Sequence, residues 1–397
     1  MDDDASVAPG PAPGSTTALR TANQRRVIEV LQRHDLDRPL TQADIARATL
    51  LAPATVSNIV RDLAAAGLVD TTAGSGRRGS AVRMSPQAGY IVGIDVGHSH
   101  LRVAVGDLGG RAIAEARSRL DPTHGHGDAI DLVLDLLEPL LAQLGAGLGD
   151  VLSAGIGLPT PIEADGRVPD SSILPGWVGV QPAAAVGERL GVVAHADNDA
   201  NLGALAEYRR GAGRGHACMA YVKVASGVGC GIIIDGRPFR GGSGIAGELG
   251  HLCVDEEGPL CRCGGRGCLE AYCSASVVTS LLAAQLPGAT LTEVIDAARA
   301  GNAGAVRAIE DAGTRLGWGL AIVANLLNPT CMVLGGELAL AGELLLGPVR
   351  TSLRRHSLAS VAGSLTLRTS TLEDRSSLVG ALLLAMESAA LSLPAAP

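Results

Sequence analysis

Lysine is nearly absent from the 397-residue chain: Lys223 is the only one, against 31 arginines, and Phe239 is the only phenylalanine. A P-loop needs a lysine directly after its glycines. Lys223, within Tyr221-Val222-Lys223-Val224-Ala225-Ser226, has no such context, which excludes a Walker-type nucleotidase. Aromatic residues account for 2% of the chain and do not cluster, so the stacking platform of an RNP-type RNA binder is missing. The start, Met1-Asp2-Asp3-Asp4 followed by Pro, Gly, Ser and Thr, lacks the positive and apolar regions of a signal peptide and reads as an unstructured tail. One uncharged run, Leu316 to Gly336, has the length of a membrane span, but Asn325, Asn328, Pro329 and Thr330 interrupt it. It is expected to form a buried helix, a turn and a buried strand, with no membrane partner.

Hydrophobic residues make up 47% of the chain and charged ones 18%, a globular composition with enough length for two to three domains of roughly 150 residues. The formal charge of −8 is unevenly distributed. Residues 20–85 hold ten arginines against six acids, residues 86–397 hold 22 basic and 31 acidic side chains, and Asp2, Asp3 and Asp4 stand alone before Arg20. A basic segment joined to an acidic body suggests nucleic-acid contact confined to one end. With no export signal, the eight cysteines are assigned to a reducing cytoplasm, where spaced cysteines indicate a metal more often than disulfides.

Three parts follow: a tail over residues 1–18, a DNA-binding domain over 19–85, and a body over 86–397. Val27, Ile28 and Leu31 give Asn23 to Arg33 a helical period, Thr41 caps a second helix, and Pro53 opens a third that ends near Gly67. A strand at Leu68-Val69-Asp70 and a glycine-rich turn bearing Arg77 and Arg78 complete a winged helix-turn-helix. Thr55, Ser57, Asn58 and Arg61 fall on the exposed side of the third helix, placed to meet base edges and phosphates of an operator, with Arg77 and Arg78 clamping phosphates or entering a minor groove. A three-helix protein-interaction module is the alternative, but it leaves the wing arginines without a role. A segment charge of only +4 predicts weak binding by one copy and therefore a dimer on two half-sites. In the body, Tyr90 to Gly97 and Leu101 to Val105 read as a hairpin, with helices and strands alternating afterwards, an α/β fold of two lobes with a cleft between them.

His251, Cys261, Cys263 and Cys268 stand in a His-x9-Cys-x-Cys-x4-Cys pattern with glycines at 264, 265 and 267. One imidazole and three thiolates suit tetrahedral zinc and leave no open position for water, so the metal is expected to be structural. Cys218, Cys230, Cys253, Cys273 and Cys331 are scattered and read as small buried hydrophobes. Asp95-Val96-Gly97-His98-Ser99 and Ala225-Ser226-Gly227-Val228-Gly229 are two small-residue turns that together could offer backbone N–H groups to phosphates. Between them, Asp199 at the start of a helix suits a general base acting on a hydroxyl. Glu248 and Glu270 flank the zinc loop, a placement that suits a ligand with several hydroxyls.

These segments, above all Gly247-Glu248-Leu249-Gly250-His251 followed by Cys261-Arg262-Cys263-Gly264-Gly265-Arg266-Gly267-Cys268-Leu269-Glu270, resemble the ROK family of repressors, open reading frames and sugar kinases. The resemblance runs from about Tyr90 to Ser388, and the winged helix resembles that of the family's repressor branch. It implies a two-lobed actin-like, ribonuclease H-like body. By the same resemblance, Asn198, Asp199, Glu248, His251 and Glu270 line a sugar, with Asp199 as catalytic base. Asp95, Gly97 and Ser99 with Ser226, Gly227 and Gly229 serve Mg-ATP, and Gly335-Gly336 is the adenosine-side turn. Ala225-Ser226-Gly227 stands where kinase members have Gly-Thr-Gly, His98-Ser99 where they have Gly-Thr or Ala-Thr, and Thr160 where a glycine is usual. The altered turns count against ATP, whereas the sugar and zinc residues are intact. The expectation is a sugar-responsive transcriptional repressor, homodimeric or homotetrameric. The alternative is an ATP-dependent sugar kinase, of glucokinase or N-acetylhexosamine kinase type, with an appended DNA-binding module.

Overall fold

A reciprocal cap sets the start of the second helix: the Thr41 hydroxyl accepts the Asp44 amide at 3.2 Å, and the Asp44 carboxylate accepts the Thr41 amide at 3.0 Å. The structure, a computed structural model, describes residues 16–34, 39–72, 80–169, 173–389 and 391. The N-terminal unit comprises α1 (Thr16–Arg33), β1 (Leu40–Thr41), α2 (Gln42–Thr49), α3 (Pro53–Ala65), β2 (Val69–Thr72) and β3 (Ala81–Met84). Leu50 ends α2 in the left-handed region, at φ 58°, and Pro53 opens α3 in its first turn, so the chain reverses between them without a longer loop. Helix α3 buries Val56, Ile59, Val60 and Leu63 along one stripe. Strands pair in the order β1-β3-β2 to form the base of the wing. Helix α1 begins at Thr16, so residues 16–18 are helical and not part of the expected tail. Residues 1–15 and the wing turn with Arg77 and Arg78 lie outside the described residues.

The body contains two five-stranded sheets with the same topology. The first is built from β4 (Tyr90–Val96), β5 (His100–Gly106), β6 (Ala112–Arg119), β7 (Val151–Leu158) and β8 (Val193–Asn198), in the order β6-β5-β4-β7-β8. The second uses β9 (Met219–Val224), β10 (Val228–Ile234), β11 (Arg237–Pro238), β12 (Cys331–Gly335) and β13 (Thr366–Thr369), in the order β11-β10-β9-β12-β13. In each, the first three strands form an antiparallel meander and the last two add in parallel to the first. Helices α4 (His126–Gln143) and α5 (Pro182–Leu190) belong to the first lobe. The second lobe carries α7 (Glu270–Cys273), α8 (Ala275–Leu281), α9 (Leu291–Arg299), α10 (Ala303–Leu327), α11 (Glu343–His356) and α12 (Ala359–Ser364). This duplicated arrangement is the two-lobed, actin-like α/β body expected from the sequence. The uncharged run 316–336 forms the end of α10, a turn and the buried strand β12, and no described helix is long and apolar enough to cross a membrane.

Two further helices, α6 (Asp199–Arg210) and α13 (Ser376–Ser388), exchange lobes. Helix α6 leaves the first sheet but packs on β9 and β10 of the second; α13 leaves the second sheet but packs on β4 and β7 of the first; and the two cross each other. Missing side chains make this approach possible. A Cβ on Gly380 of α13 would stand 2.1 Å from the Leu202 carbonyl oxygen of α6, and one on Gly155 of β7 would stand 2.1 Å from that of Ala381. The buried Glu207 carboxylate then fastens the end of α6 to the segment before α13, accepting from the hydroxyl of Ser376 at 3.0 Å and the amides of Ala212 at 2.7 Å and Leu372 at 3.3 Å. Gly380→Ala is expected to destabilise the body by about 1–3 kcal/mol, because backbone cannot move aside as a side chain can. Gly363→Ala, with nothing within 4 Å of the new Cβ, should not. Urea denaturation of both variants checks the contrast.

Candidate ligand cleft and metal centre

The turns that close β4–β5 and β9–β10 face each other across one cavity, and the start of α6 lies between them. Asp95, Gly97 and Ser99 line it from the first lobe, and Ser226, Gly227, Gly229 and Gly336 from the second. Asn198, Asp199, Glu248, His251 and Glu270 also line it, so residues from Asp95 to Gly336, 242 positions of sequence, meet here. Gly335 is not among them. It lies within β12, where a Cβ would stand 2.3 Å from the Tyr221 hydroxyl, so its role is packing. Gly336 does line the cavity, and its φ of 84° together with Val224 backbone 2.4 Å from a would-be Cβ requires glycine.

Asn198 caps α6: its Oδ1 accepts the amides of Ala200 at 2.9 Å and Asn201 at 3.4 Å, while its Nδ2 donates to the Thr160 carbonyl at 3.2 Å. This cap holds Asp199 at the helix N-terminus. Burial pushes the Asp199 carboxyl up; Lys223, whose Nζ lies 2.7 Å from Oδ2, opposes that, and the Asp95 charge adds to it. For Lys223 burial acts to lower the pKa, but Asp199 and then Asp95 outweigh it and hold the ammonium above its ordinary value. Asp95 is buried as well, which alone would raise it, yet His100, Lys223 and Ser377 hold its carboxyl below the usual range. Ser377 donates to Asp95 Oδ1 at 2.7 Å, and His100 Nε2 lies 3.6 Å from Oδ2. Below Asn198, Asp197 Oδ2 accepts from Arg240 Nε at 2.9 Å and Nη2 at 2.6 Å, which ties β8 to the segment after β11.

The metal centre adjoins this cleft. Donor atoms of His251, Cys261, Cys263 and Cys268 all lie within 4.8 Å of one another. Cys263 and Cys268 Sγ are 3.7 Å apart, and Cys261 Sγ is 3.7 Å from His251 Nδ1. A tetrahedron with Zn–S bonds of about 2.3 Å has edges of roughly 3.8 Å, so the four residues fit zinc. All cysteines are free thiols. His251 turns its other nitrogen, Nε2, to Glu248 Oε2 at 3.8 Å, so one imidazole joins the metal centre to the cleft. Burial, with the charges of Asp199 and Glu270 adding to it, pushes the Glu248 carboxyl up to about 7. Glu270 binds the Val228 amide at 2.9 Å and Arg262 Nε at 2.6 Å, and Arg262 also donates to the Ser226 carbonyl. The zinc loop and the glycine turn are thereby one hydrogen-bonded unit. Of the scattered cysteines, Cys230, Cys273 and Cys331 are buried as expected, Cys218 is half-buried, and Cys253, in an isolated bridge to Cys268, is exposed.

On α3 the side chains of Ser57, Asn58 and Arg61 are exposed and Thr55 is half-buried. Arg20 pairs with Asp62 at 2.7 Å beside them, which binds α1 to α3. Sequence reasoning missed Lys223, Arg240 and Arg262. Lys223 alone carried a signal, as the one lysine placed next to a glycine turn; the two arginines are marked only by their three-dimensional partners.

Repeated sheets with exchanged helices, an acid at a helix start in the cleft, and a winged helix in front define a regulator built on a sugar-kinase-like body. The chain belongs to the ROK family, whose model matches residues 91–388, and a MarR family model matches residues 20–79. It is 27% identical over 371 residues to the xylose repressor of Bacillus subtilis (strain 168), covering 92% of this chain and 94% of that one. The crystal structure of a ROK family transcriptional regulator, a homologue of the E. coli MLC protein, superposes with a TM-score of 0.76 at 25% identity over 92% of this chain and 96% of the other. A ROK family glucokinase from Streptomyces griseus, in complex with glucose and AMPPNP, matches with a TM-score of 0.67 at 29% identity, over 76% of this chain and all of that one (100%).

Cys263→Ser is expected to lose zinc and to weaken ligand binding in the cleft along with it, because His251 and Glu270 are both fixed by the zinc loop. Metal content by atomic absorption and sugar binding by calorimetry test this. Undiminished sugar affinity in metal-free protein would refute the link.

Proposed function

We propose that the protein is a sugar-responsive transcriptional repressor of carbohydrate-metabolism genes, acting in the cytoplasm as a homodimer or homotetramer. Thr55, Ser57, Asn58 and Arg61 face operator DNA, joined by Arg77 and Arg78 of the wing. Asn198, Asp199, Glu248, His251 and Glu270 take the hydroxyls of a sugar, and zinc at His251, Cys261, Cys263 and Cys268 is structural. Xylose and glucose are the first ligands to try, since they appear in the names of the xylose repressor and the glucokinase complex.

One observation carries this reading. Helix α6 presents Asp199 to the cleft at its first residue and Arg210 to the winged helix at its last, about 16 Å away along the axis. Arg210 donates to the carbonyls of His34 at 3.0 Å, Gln32 at 3.3 Å and Gly109 at 2.7 Å, so a cation closes the C-terminal end of α1. Gln32 adds a bond to the Leu108 carbonyl at 3.2 Å. Apolar packing is continuous across the same junction, in a buried cluster that includes Val27, Ile28 and Leu31 with Leu108 and with Leu378, Leu382 and Leu383 of α13. A sugar that tilts α6 in closing the cleft thus moves α1. Coupling then requires only that the sugar bind the DNA-competent and DNA-free forms with different affinities.

The kinase alternative rests on Asp199 in the cleft, as a base for a sugar hydroxyl. ADP release with ATP, magnesium and a panel of hexoses and N-acetylhexosamines, abolished by Asp199→Ala, would favour it over the repressor.

Binding of the purified protein to genomic DNA fragments, with and without sugars, tests the regulator directly. A preferred site released by one sugar is expected, and no preferred site at moderate salt defeats the proposal. Arg210→Ala should keep sugar binding within error yet reduce the sugar's effect on DNA affinity by about tenfold.

A further inference from the structure

The only lysine of the chain occupies a slot made for it. On β9, Lys223 pairs in register with Gly229 of β10 and Gly335 of β12, so neither neighbouring strand puts a side chain beside it. Its stem reaches the cleft, where Nζ donates to Asp199 Oδ2 at 2.7 Å. Asp95, the second acid of the cleft floor, is hemmed in by the protein itself: Ser377 donates to Oδ1 at 2.7 Å, and the His100 ring crowds Oδ2, with Nε2 3.6 Å away. The His100 ring fills the space above Gly97, 2.1 Å from where a Cβ would be, so the first phosphate-type turn is occupied by an imidazole.

A magnesium–nucleotide asks something else of these residues. Magnesium keeps several waters in a near-octahedral shell and is held through free carboxylate oxygens. Here it would meet a fixed ammonium of like charge, and drawing Asp199 away would leave that ammonium buried and unpaired. The residues present do not fit Mg-ATP. A sugar hydroxyl needs only a lone pair, and a carboxylate with one ammonium contact still offers several.

We propose that the Lys223 ammonium is the resident cation of the cleft, holding the place beside Asp199 and Asp95 that a divalent metal–nucleotide requires, and that it confines the cleft to an uncharged polyol bound without metal or nucleotide. Lys223 is then the residue that separates sensing from phosphoryl transfer in this chain. The polyol rests on the repressor reading above; the exclusion of metal–nucleotide does not.

The test is equilibrium dialysis of the zinc-loaded, full-length protein against ATP, with and without Mn2+. Wild-type protein is expected to retain no more ATP with Mn2+ than without it. Lys223→Met and Lys223→Gln, which remove the charge, should bind Mn-ATP tighter by about tenfold or more, and Lys223→Arg should behave as wild type. Should Lys223→Met fail to fold, Lys223→Gln, which keeps a donor for Asp199, decides. Manganese-dependent retention of ATP by the wild type overturns the proposal without any variant. So does the absence of a gain in a neutral variant whose circular dichroism and zinc content match the wild type. Failure of sugars to release DNA would defeat the repressor reading and leave this result untouched.

Discussion

Everything in the body depends on the contact between α6 and α13. Each helix belongs by sequence to one lobe and by packing to the other, so the lobes are held together by elements that neither could keep alone. The contact brings backbone against backbone, possible because Gly380 of α13 faces the Leu202 carbonyl of α6, and α13 approaches β7 in the same way where Gly155 faces the Ala381 carbonyl. Close approach without side chains leaves no apolar cushion to absorb displacement, and packed interiors transmit strain. Helix α6 thus joins the cleft at its start to the winged helix at its far end. There Arg210 meets α1, and the buried cluster of the winged helix continues into α13.

The cleft shows a second constraint, the need to satisfy buried carboxylates. Asp95, Asp199, Glu207 and Glu270 are all at least nine-tenths buried, and each has partners supplied by the chain. Breaking a buried ion pair by removing one partner commonly costs about 3–5 kcal/mol, so such acids cannot be rearranged one at a time. Glu270 illustrates the consequence. Its bonds to Val228 and Arg262 make the glycine turn and the zinc loop move as one piece, and the zinc loop positions His251 beside Glu248. The candidate metal loop and the ligand cleft thus share His251 and the hydrogen bonds of Glu270.

Much of this was legible in the sequence because it rests on local pattern. The cap at Thr41, Pro53 at the head of α3, the apolar stripe Val56, Ile59, Val60 and Leu63, and the His/Cys spacing of residues 251–268 all declare themselves within 18 residues or fewer. The hairpin β4–β5 and the helix beginning at Asp199 followed from the same kind of signal. Gly335 and Gly336 look alike in sequence and diverge in space: one makes room for Tyr221, the other turns into the cavity at positive φ. Cys253 reads in sequence as a small buried hydrophobe and is exposed in an isolated bridge to Cys268. Neither difference has a local cause.

Alone, the sequence determined the α/β class, the uneven division of charge between a basic N-terminal segment and an acidic body, and a His/Cys pattern with metal-site spacing, since these follow from periodicity, composition and short-range spacing. Tertiary structure decided which acids meet which cations. Lys223 lies 24 positions from Asp199, Arg262 reaches back 36 to Ser226, and Arg210 spans 176 to His34. No periodicity connects such pairs. They are brought together by the exchange of two helices between two copies of one sheet, and charge complementarity can act only after that exchange has placed the charges within reach.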